Sequence, residues 1–130
     1  MPYFSVIIPV YNRPDEVREL LESLSKQTLK DFEVLLIEDG SVNRCDTVAQ
    51  EFDKDLNICY FYKENSGRSL TRNYGMERAS GEYLIFFVSF PSVISRLSKL
   101  AWRKIMSIVS AGLMRHILLL VICKRRSAIL

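Results

Sequence analysis

The sequence predicts an α/β fold in which a parallel sheet carries helices on both faces. Along the first 87 residues, short runs of β-branched, aliphatic and aromatic residues alternate with segments of helical periodicity. The apolar runs are nearly continuous, which is typical of strands covered on both faces. With 130 residues, of which 48% are hydrophobic, the chain has the length of one domain. These observations favour a Rossmann-like arrangement of the order βαβαβαβ.

The first strand and the first helix are the clearest elements. Residues 3–10 (YFSVIIPV) form the predicted strand, and the turn-forming sequence Asn-Arg-Pro follows at 12–14. Pro14 suits the first position of a helix. Apolar residues then recur at positions i, i+3, i+4 and i+7 of one helical face, namely Val17, Leu20, Leu21 and Leu24.

The later elements are predicted by the same two patterns. Residues 32–37 (FEVLLI) predict a second strand, which we expect to end at an acidic turn over 38–41 (EDGS). The remaining predictions are a short helix around 48–52, a third strand at 58–62 (ICYFY), a third helix over 66–79 and a fourth strand at 83–87 (YLIFF).

The composition changes sharply near residue 83. All 15 acidic residues and ten of the 18 Lys and Arg residues lie before it, whereas the rest of the chain is basic and contains no Asp, Glu, Asn, Gln or Thr. The net charge of +3 therefore describes neither part and gives no support for nucleic-acid binding. We expect two regions, residues 1–87 and an atypical basic and apolar tail over 88–130, for which a helix is one interpretation.

The three cysteines, Cys45, Cys59 and Cys123, include no C-x-x-C pair. An odd number without metal-site spacing gives no support for a disulfide framework or a zinc site. Reduced thiols favour a cytoplasmic location.

Polar residues follow the predicted strands and are expected at one edge of the sheet, where such folds bind ligands. These residues are Tyr11 and Asn12 after the first strand, Glu38 and Asp39 after the second, and Asn65, Gly67, Arg68 and Arg72 after the third. An aromatic ring could stack on a base, a carboxylate could accept the imide N–H of a pyrimidine, and a guanidinium could face phosphate. On spacing alone, an ordinary turn at 38–41 is the better interpretation. Neither G-x-G-x-x-G nor a P-loop sequence is present.

Several segments, in order and spacing, resemble the nucleotide-binding half of family-two glycosyltransferases of the GT-A fold. They are SVIIPVYNR at 5–13, LSKQT at 24–28, FEVLLIEDGS at 32–41 and ENSGRSLTRNYGMERASGEYLIFF at 64–87. The resemblance implies sugar transfer with inversion from a nucleotide donor, commonly a UDP-sugar, to a saccharide or lipid-linked acceptor in polysaccharide biosynthesis. It also implies help from Mn²⁺ or Mg²⁺.

The resemblance assigns roles to particular residues of the donor site. Pro9 and Tyr11 of the PVYN segment, which also contains Asn12, would border the base. Asp39 would accept from the base N–H, and Glu38 stands where the family often has another Asp. Gly67 would let the backbone pass close to the donor, and Arg72 would lie near the base and the diphosphate.

The resemblance breaks after the fourth strand. There the family pattern has Asp-x-Asp, whose carboxylates hold the ribose and the metal, whereas this chain has Val88-Ser89-Phe90. No later acid could bind the metal or act as general base, so no catalytic residue is assigned. We expect 88–130 to be a frame-shifted or otherwise foreign tail on a truncated domain; a divergent member or a pseudo-enzyme is the alternative.

The tail also contains a candidate membrane segment. Residues 105–123 have about the length needed to span a bilayer, but Arg115 and His116 interrupt the apolar run near its middle. A basic helix lying on the membrane surface fits equally well. The chain would then be peripheral at the inner face of the membrane.

Three functions remain open at this point. The first is a glycosyltransferase whose chain, as it stands, is inactive because the acids of the fourth strand are missing. The second is a nucleotide-binding module without turnover. The third is a non-functional fragment with an unpaired sheet edge.

Overall fold

A computed structural model describes residues 2–27, 30–87 and 120–124 of the chain. Its elements are β1 (Phe4–Val10), α1 (Pro14–Ser25), β2 (Phe32–Asp39), α2 (Asp46–Glu51), β3 (Ile58–Lys63), α3 (Arg68–Arg78), β4 (Tyr83–Phe87) and β5 (Leu120–Lys124). The alternation of strands and helices through β4 confirms the predicted α/β class.

The strands form one sheet in the order β3-β2-β1-β4-β5. The first four strands in this order pair in parallel, as predicted. The register sets Val10 of β1 beside Glu38 of β2, and Asp39 of β2 beside Lys63 of β3. The carboxyl ends of these three strands therefore meet at one edge of the sheet.

Helices cover both faces of the sheet. On one face, the apolar side of α1 and the buried residues of α2 pack on β-strand residues that include Ile8 and Leu36. On the other face, α3 contacts β1 and β2 above a second cluster that includes Ile7 and Ile37. Because successive strand residues point to opposite faces, each central strand contributes to both clusters.

Helix α3 lies unusually close to the sheet because its buried residues, Thr71 and Gly75, are small. A Cβ atom built on Gly75 would lie 2.6 Å from Ile7 Cγ2 and 2.7 Å from Ile37 Cδ1. The close packing fixes the height of the helix above the sheet, and it thereby positions the start of α3 at the carboxyl edge.

The structure corrects the predicted end of the second strand. Glu38 and Asp39 belong to β2, so the turn begins only at Gly40, whose φ is +74°. The two acids lie in the ladder because β3 pairs with β2 as far as Asp39. The expectation that 38–41 is one acidic turn is therefore wrong for its first half.

The tail departs from the expected helix at its described end. Leu120–Lys124 form β5, which pairs antiparallel with β4 and covers an edge that was expected to be unpaired. A short apolar run such as LVIC does not distinguish strand from helix by periodicity, and pairing with β4 decides the outcome. Val88-Ser89-Phe90 and residues 105–119 of the candidate membrane segment lie outside the described residues. Within 2–27, 30–87 and 120–124, no helix has the length and apolarity that crossing a membrane requires.

Candidate functional site

The two acids at the end of β2 point to opposite faces of the sheet. Glu38 faces the side of α2, where its Oε1 accepts a hydrogen bond from the Cys45 backbone N–H. Asp39 faces the side of α3, where it accepts from the backbone N–H groups of Ser66 and Gly67. The alternation of a β-strand separates adjacent side chains in this way. The expectation that both carboxylates meet one ligand is therefore corrected.

Asp39 organises the loop that leads into α3. Its Oδ1 accepts from Lys63 Nζ at 2.7 Å and from Ser66 N at 2.8 Å, while its Oδ2 accepts from Gly67 N at 3.1 Å. The Asp39 backbone oxygen accepts from Asn65 Nδ2 at 3.0 Å. These bonds connect the ends of β2 and β3 to the first turn of α3.

The Asp39 carboxyl group is held in its ionised form. Burial alone would raise its pKa, but the hydrogen bonds from Lys63 and Ser66 N outweigh burial, and the pKa lies below its usual range. The Thr71 hydroxyl donates its single proton to the Gly67 carbonyl oxygen at 2.8 Å and so gives none to Asp39. An ionised carboxylate has about four acceptor positions. The protein fills two on Oδ1 and one on Oδ2, which leaves Oδ2 able to accept from a ligand.

Glu38 is enclosed in the core. It is fully buried, and its Oε2 has no hydrogen-bond partner among the described residues. The hydroxyl of Tyr60, on the neighbouring strand, is also buried without a described partner. Burial first, and the nearby Glu38 second, raise the pKa of both Cys45 and Tyr60. We therefore assign Glu38 to the interior of the domain and not to the open edge.

Asn12 joins the loops that follow β1 and β2. Its Oδ1 accepts from Val42 N at 2.8 Å and from Asn43 N at 3.1 Å, and its own N–H donates to Ser41 Oγ at 2.9 Å. Its φ of +53° is in the left-handed region that Asn tolerates better than most residues. The amide oxygen of Asn12 is thus used within the protein, and the residue fixes the backbone next to Tyr11.

Tyr11 lies at the same edge as Asp39. It follows Val10, which pairs with Glu38, so the chain positions 11 and 39 are neighbours at the ends of adjacent strands. Tyr11 is 53% exposed, and Pro9 is half-buried. The exposed Tyr11 and the buried Asp39 thus end adjacent strands at this edge, and their role as the pair that contacts a base stays a prediction.

Gly67 and Arg72 complete the edge from the side of α3. Gly67 has a φ of +90°, and a Cβ built on it would meet nothing within 4 Å. The glycine is therefore required by its backbone angle, and open space lies in front of it. Arg72 is half-buried one turn into α3, and its side chain forms no hydrogen bond or ion pair with another residue in the part of the chain that the structure describes. Its guanidinium is available to an anion.

Sequence reasoning missed Lys63, which contacts Asp39, and Ser41, which is buried against Asn12. Lys63 ends a run of apolar residues and carries the only charge in β3. This lone charge points to a contact with Asp39 only when the register of β2 and β3 is known. The register places the two opposite charges side by side at the strand ends.

A metal site is not formed by the residues that the structure describes. In 2–27, 30–87 and 120–124, no group of three or more His, Cys, Asp or Glu residues is arranged to hold a metal ion. The sequence adds that no Asp or Glu follows Glu82. The residues that the structure describes therefore do not fit the Mn²⁺ or Mg²⁺ that the resemblance implies.

Fold and edge together define an α/β domain with a polar site at the carboxyl ends of its parallel strands. The family model described as "Glycosyl transferase family 2" matches residues 5–87. Since this match covers more than half of the chain, the protein belongs to glycosyl transferase family 2.

Curated relatives agree with this membership. An uncharacterized glycosyltransferase of Rickettsia typhi is 45% identical over 83 residues, which are 63% of this chain and 25% of that protein. Glycosyltransferase GlyA of Streptococcus pneumoniae is 39% identical over 83 residues, which are 63% of this chain and 12% of that protein. The chain thus spans a quarter or less of the length of these relatives.

One relative extends the similarity into the tail. The uncharacterized glycosyltransferase EpsJ of Bacillus subtilis is 34% identical over 118 residues, which are 86% of this chain and 34% of EpsJ. Residues 1–87 alone could not supply that coverage, so part of the tail is included in the alignment.

Solved structures share the fold. The crystal structure of S. aureus TarS 1-349 in complex with UDP-GlcNAc has a TM-score of 0.62 and 34% identity, and the match covers 67% of this chain and 26% of the TarS 1-349 chain. The corresponding complex with UDP has a TM-score of 0.61 and 34% identity, with 66% of this chain and 26% of the TarS 1-349 chain covered. A mannosyltransferase of Pyrobaculum calidifontis in complex with GDP-Man and Mn²⁺ is 22% identical with a TM-score of 0.59, over 65% of this chain and 26% of its own, which shows likeness of fold alone.

Proposed function

We propose that the described α/β domain binds the uridine diphosphate part of a nucleotide-sugar donor for a glycosyltransferase. Family membership and the similarity to TarS, which was solved with UDP-GlcNAc and with UDP, support this choice of donor. The uracil would lie at the carboxyl edge between Tyr11 and Asp39, and the diphosphate would lie toward Arg72.

One observation carries the proposal. The Asp39 carboxylate is ionised, anchored by three hydrogen bonds and left with an acceptor position on Oδ2. An acceptor of this kind recognises the imide N3–H of uracil and not the N3 of cytosine, which is itself an acceptor. The exposed ring of Tyr11 offers a stacking surface at the same edge.

The chemistry of transfer requires groups that the residues described by the structure do not offer at this edge. Charge on the diphosphate leaving group needs a metal or several cations, and an inverting transfer needs a base for the acceptor hydroxyl. No Asp or Glu follows Glu82, and the segment 88–90 has neither of the expected acids. We therefore propose that this chain binds the donor without turning it over. The donor sugar and the acceptor, whether a saccharide or a lipid-linked one, are outside this proposal.

The metal dependence of UDP binding distinguishes binding without turnover from an active enzyme. A nucleotide-binding module without turnover would bind UDP equally well with and without Mn²⁺, because no metal cluster exists in the described residues. Metal-enhanced binding would instead favour an enzyme whose metal ligands lie in the tail. Its site would then have to use groups other than Asp or Glu side chains.

The experiment that tests the proposal changes the ligand and leaves the protein intact. The full chain is titrated by isothermal calorimetry with UDP, with CDP and with N3-methyl-UDP, each in the presence of EDTA and then of Mn²⁺. We expect UDP to bind at least about tenfold more tightly than CDP and N3-methyl-UDP, because each of these two lacks the N3–H group that would donate a hydrogen bond to Asp39.

Two protein variants complete the test. Asp39→Ala is expected to lose UDP binding, whereas the exposed Asp53→Ala, which removes the same charge elsewhere, is expected to retain it. Equal affinity for UDP and N3-methyl-UDP would contradict the assigned role of Asp39. If the wild-type chain binds none of the three nucleotides, the proposed function is wrong.

A further inference from the structure

Lys63 is the one charged residue of β3, and its side chain reaches across the end of the sheet. Its Nζ donates to Asp39 Oδ1 at 2.7 Å, to the Glu64 carbonyl oxygen at 2.9 Å and to Ser66 Oγ. The Lys63 and Asp39 side chains are only 13% and 9% exposed. The pair is therefore largely shielded from water and from screening by salt.

The ammonium group has no donor left for a ligand. An ammonium carries three N–H groups, and each of the three has an acceptor in the protein. A direct contact of Lys63 with the diphosphate would require one of these bonds to break. Lys63 therefore acts on a ligand through Asp39 and through the loop that Glu64 and Ser66 belong to.

The effect on Asp39 is both electrostatic and geometric. A cation within hydrogen-bond distance favours the ionised carboxylate, so Lys63 contributes to the lowered pKa of Asp39. Lys63 and Ser66 N together occupy Oδ1, and Oδ2 accepts from Gly67 N, so the bonds fix which oxygen faces Gly67. The carboxylate is thus kept free of its own proton and in one orientation.

We propose that Lys63 is a positioning residue that sets the base selectivity of the site, by keeping Asp39 an acceptor and its Oδ1 occupied, so that Oδ2 is the oxygen that accepts from the ligand. This inference rests on the proposed binding of a uridine nucleotide. A carboxylate locked in this form accepts the N3–H of uracil and rejects the N3 acceptor of cytosine. Without the lysine, Asp39 takes up a proton more readily, and only the protonated carboxyl has the O–H group that can donate to N3 of cytosine.

The test compares Lys63→Met with Lys54→Met, a matched control at an exposed lysine that has no hydrogen bond or ion pair with any described residue. The titration midpoint of the Asp39 carboxyl carbon is followed by ¹³C NMR, and the Kd values of UDP and CDP are measured at pH 7. In Lys63→Met we expect the titration midpoint of Asp39 to rise by about one pH unit or more. We expect the Kd of CDP divided by the Kd of UDP to fall by about tenfold. Lys54→Met is expected to match the wild type in both measurements.

Two further variants separate the electrostatic from the structural role. Lys63→Arg keeps the positive charge and is expected to preserve the low titration midpoint of Asp39. Lys63→Gln is expected to raise the midpoint and to reduce the discrimination between UDP and CDP, as Lys63→Met does. It provides the same measurement if Lys63→Met does not fold. An Asp39 midpoint and a UDP to CDP ratio that remain at the wild-type values in Lys63→Gln would overturn the inference. If the wild-type chain binds UDP and CDP equally well, both the role of Lys63 and the proposed recognition of uracil are overturned. If the wild-type chain prefers UDP and the Lys63 variants keep that preference, the role of Lys63 is overturned and the proposed function stands.

Discussion

β2 carries two buried carboxylates, Glu33 near its amino end and Asp39 at its carboxyl end, and different hydrogen-bond partners keep each of them ionised. Both point to the α3 side of the sheet, and hydrogen bonds that outweigh burial hold the pKa of each below its usual range. Glu33 Oε1 accepts from Ser5 Oγ at 2.6 Å, Ser80 N at 2.7 Å and Ser80 Oγ at 2.8 Å. Asp39 instead has a cation, Lys63, among its partners and lies where the strands end.

The comparison separates a structural acid from a recognition acid. The partners of Glu33 are neutral, and Ser5 also accepts from Gly81 N at 2.8 Å, so the group joins β1, β2 and the approach to β4. Among the described residues, no exposed aromatic ring lies at this end of the sheet. A low carboxyl pKa therefore does not identify a site by itself, and the position at the carboxyl edge is what distinguishes Asp39.

The largest expected effect concerns the glycines that bring the loops together at each end. Gly40→Ala would impose a Cβ on a residue with a φ of +74° and place it 2.7 Å from Asn65 N. We expect a loss of about 2–4 kcal/mol in unfolding free energy, because strain and a backbone clash add. Gly81→Ala meets Ser5 and Phe4 without a positive φ and should cost about 1–3 kcal/mol. Chemical denaturation measures both, and an equal or smaller loss in Gly40→Ala would contradict this ranking.

Substitution of the two acids should have different effects on nucleotide affinity. Asp39→Asn removes a charged acceptor from the edge, and we expect UDP binding to weaken by about 10- to 100-fold. Glu33→Gln removes the same charge at the other end and should leave the Kd within about twofold, since β2 separates it from the ligand. Calorimetric titration of each folded variant decides the matter. A comparable loss in Glu33→Gln would mean that both acids affect binding through the fold.

The pH dependence of stability should show the two acids acting alike. Because both folded-state pKa values lie below the unfolded values, each acid contributes stability that is fully present above the ordinary carboxyl pKa of about 4. That contribution is lost as the pH falls from there through the folded pKa. We expect the unfolding free energy to decline in this acid range and to decline less steeply in Glu33→Gln and in Asp39→Asn. Urea denaturation from pH 7 to pH 3 tests it, and an unchanged slope in both variants would refute it.

The smallest expected effect lies on the surface beside the site. The Arg44 guanidinium stacks over the Tyr62 ring with 3.9 Å between its carbon and the ring centroid. Both residues are exposed, so Arg44→Gln should lower the unfolding free energy by only about 0.5–1 kcal/mol. The Kd for UDP should remain unchanged. A loss of UDP binding in this variant would extend the site from Asp39 toward Arg44.

The sequence predicts the elements well and the directions of side chains poorly. The four parallel strands and three helices follow from periodicity, because each apolar face has to be buried against another element. The opposite orientations of Glu38 and Asp39 depend on where β2 ends, and the pairing with β3 extends that strand beyond its apolar run. The hydrogen bonds of Glu33 with Ser5 and Ser80 join residues that are far apart in the chain, and no local sequence pattern predicts them. The pairing of β5 with β4 depends likewise on contacts between distant segments.

A crystal structure of the full chain with UDP tests the central claim most directly. We expect uracil N3 to lie about 2.7–3.2 Å from Asp39 Oδ2, with the base against the ring of Tyr11 and Lys63 still bound to Oδ1. A uracil bound elsewhere, or bound at this edge with its N3 facing a group other than Asp39, would contradict the account.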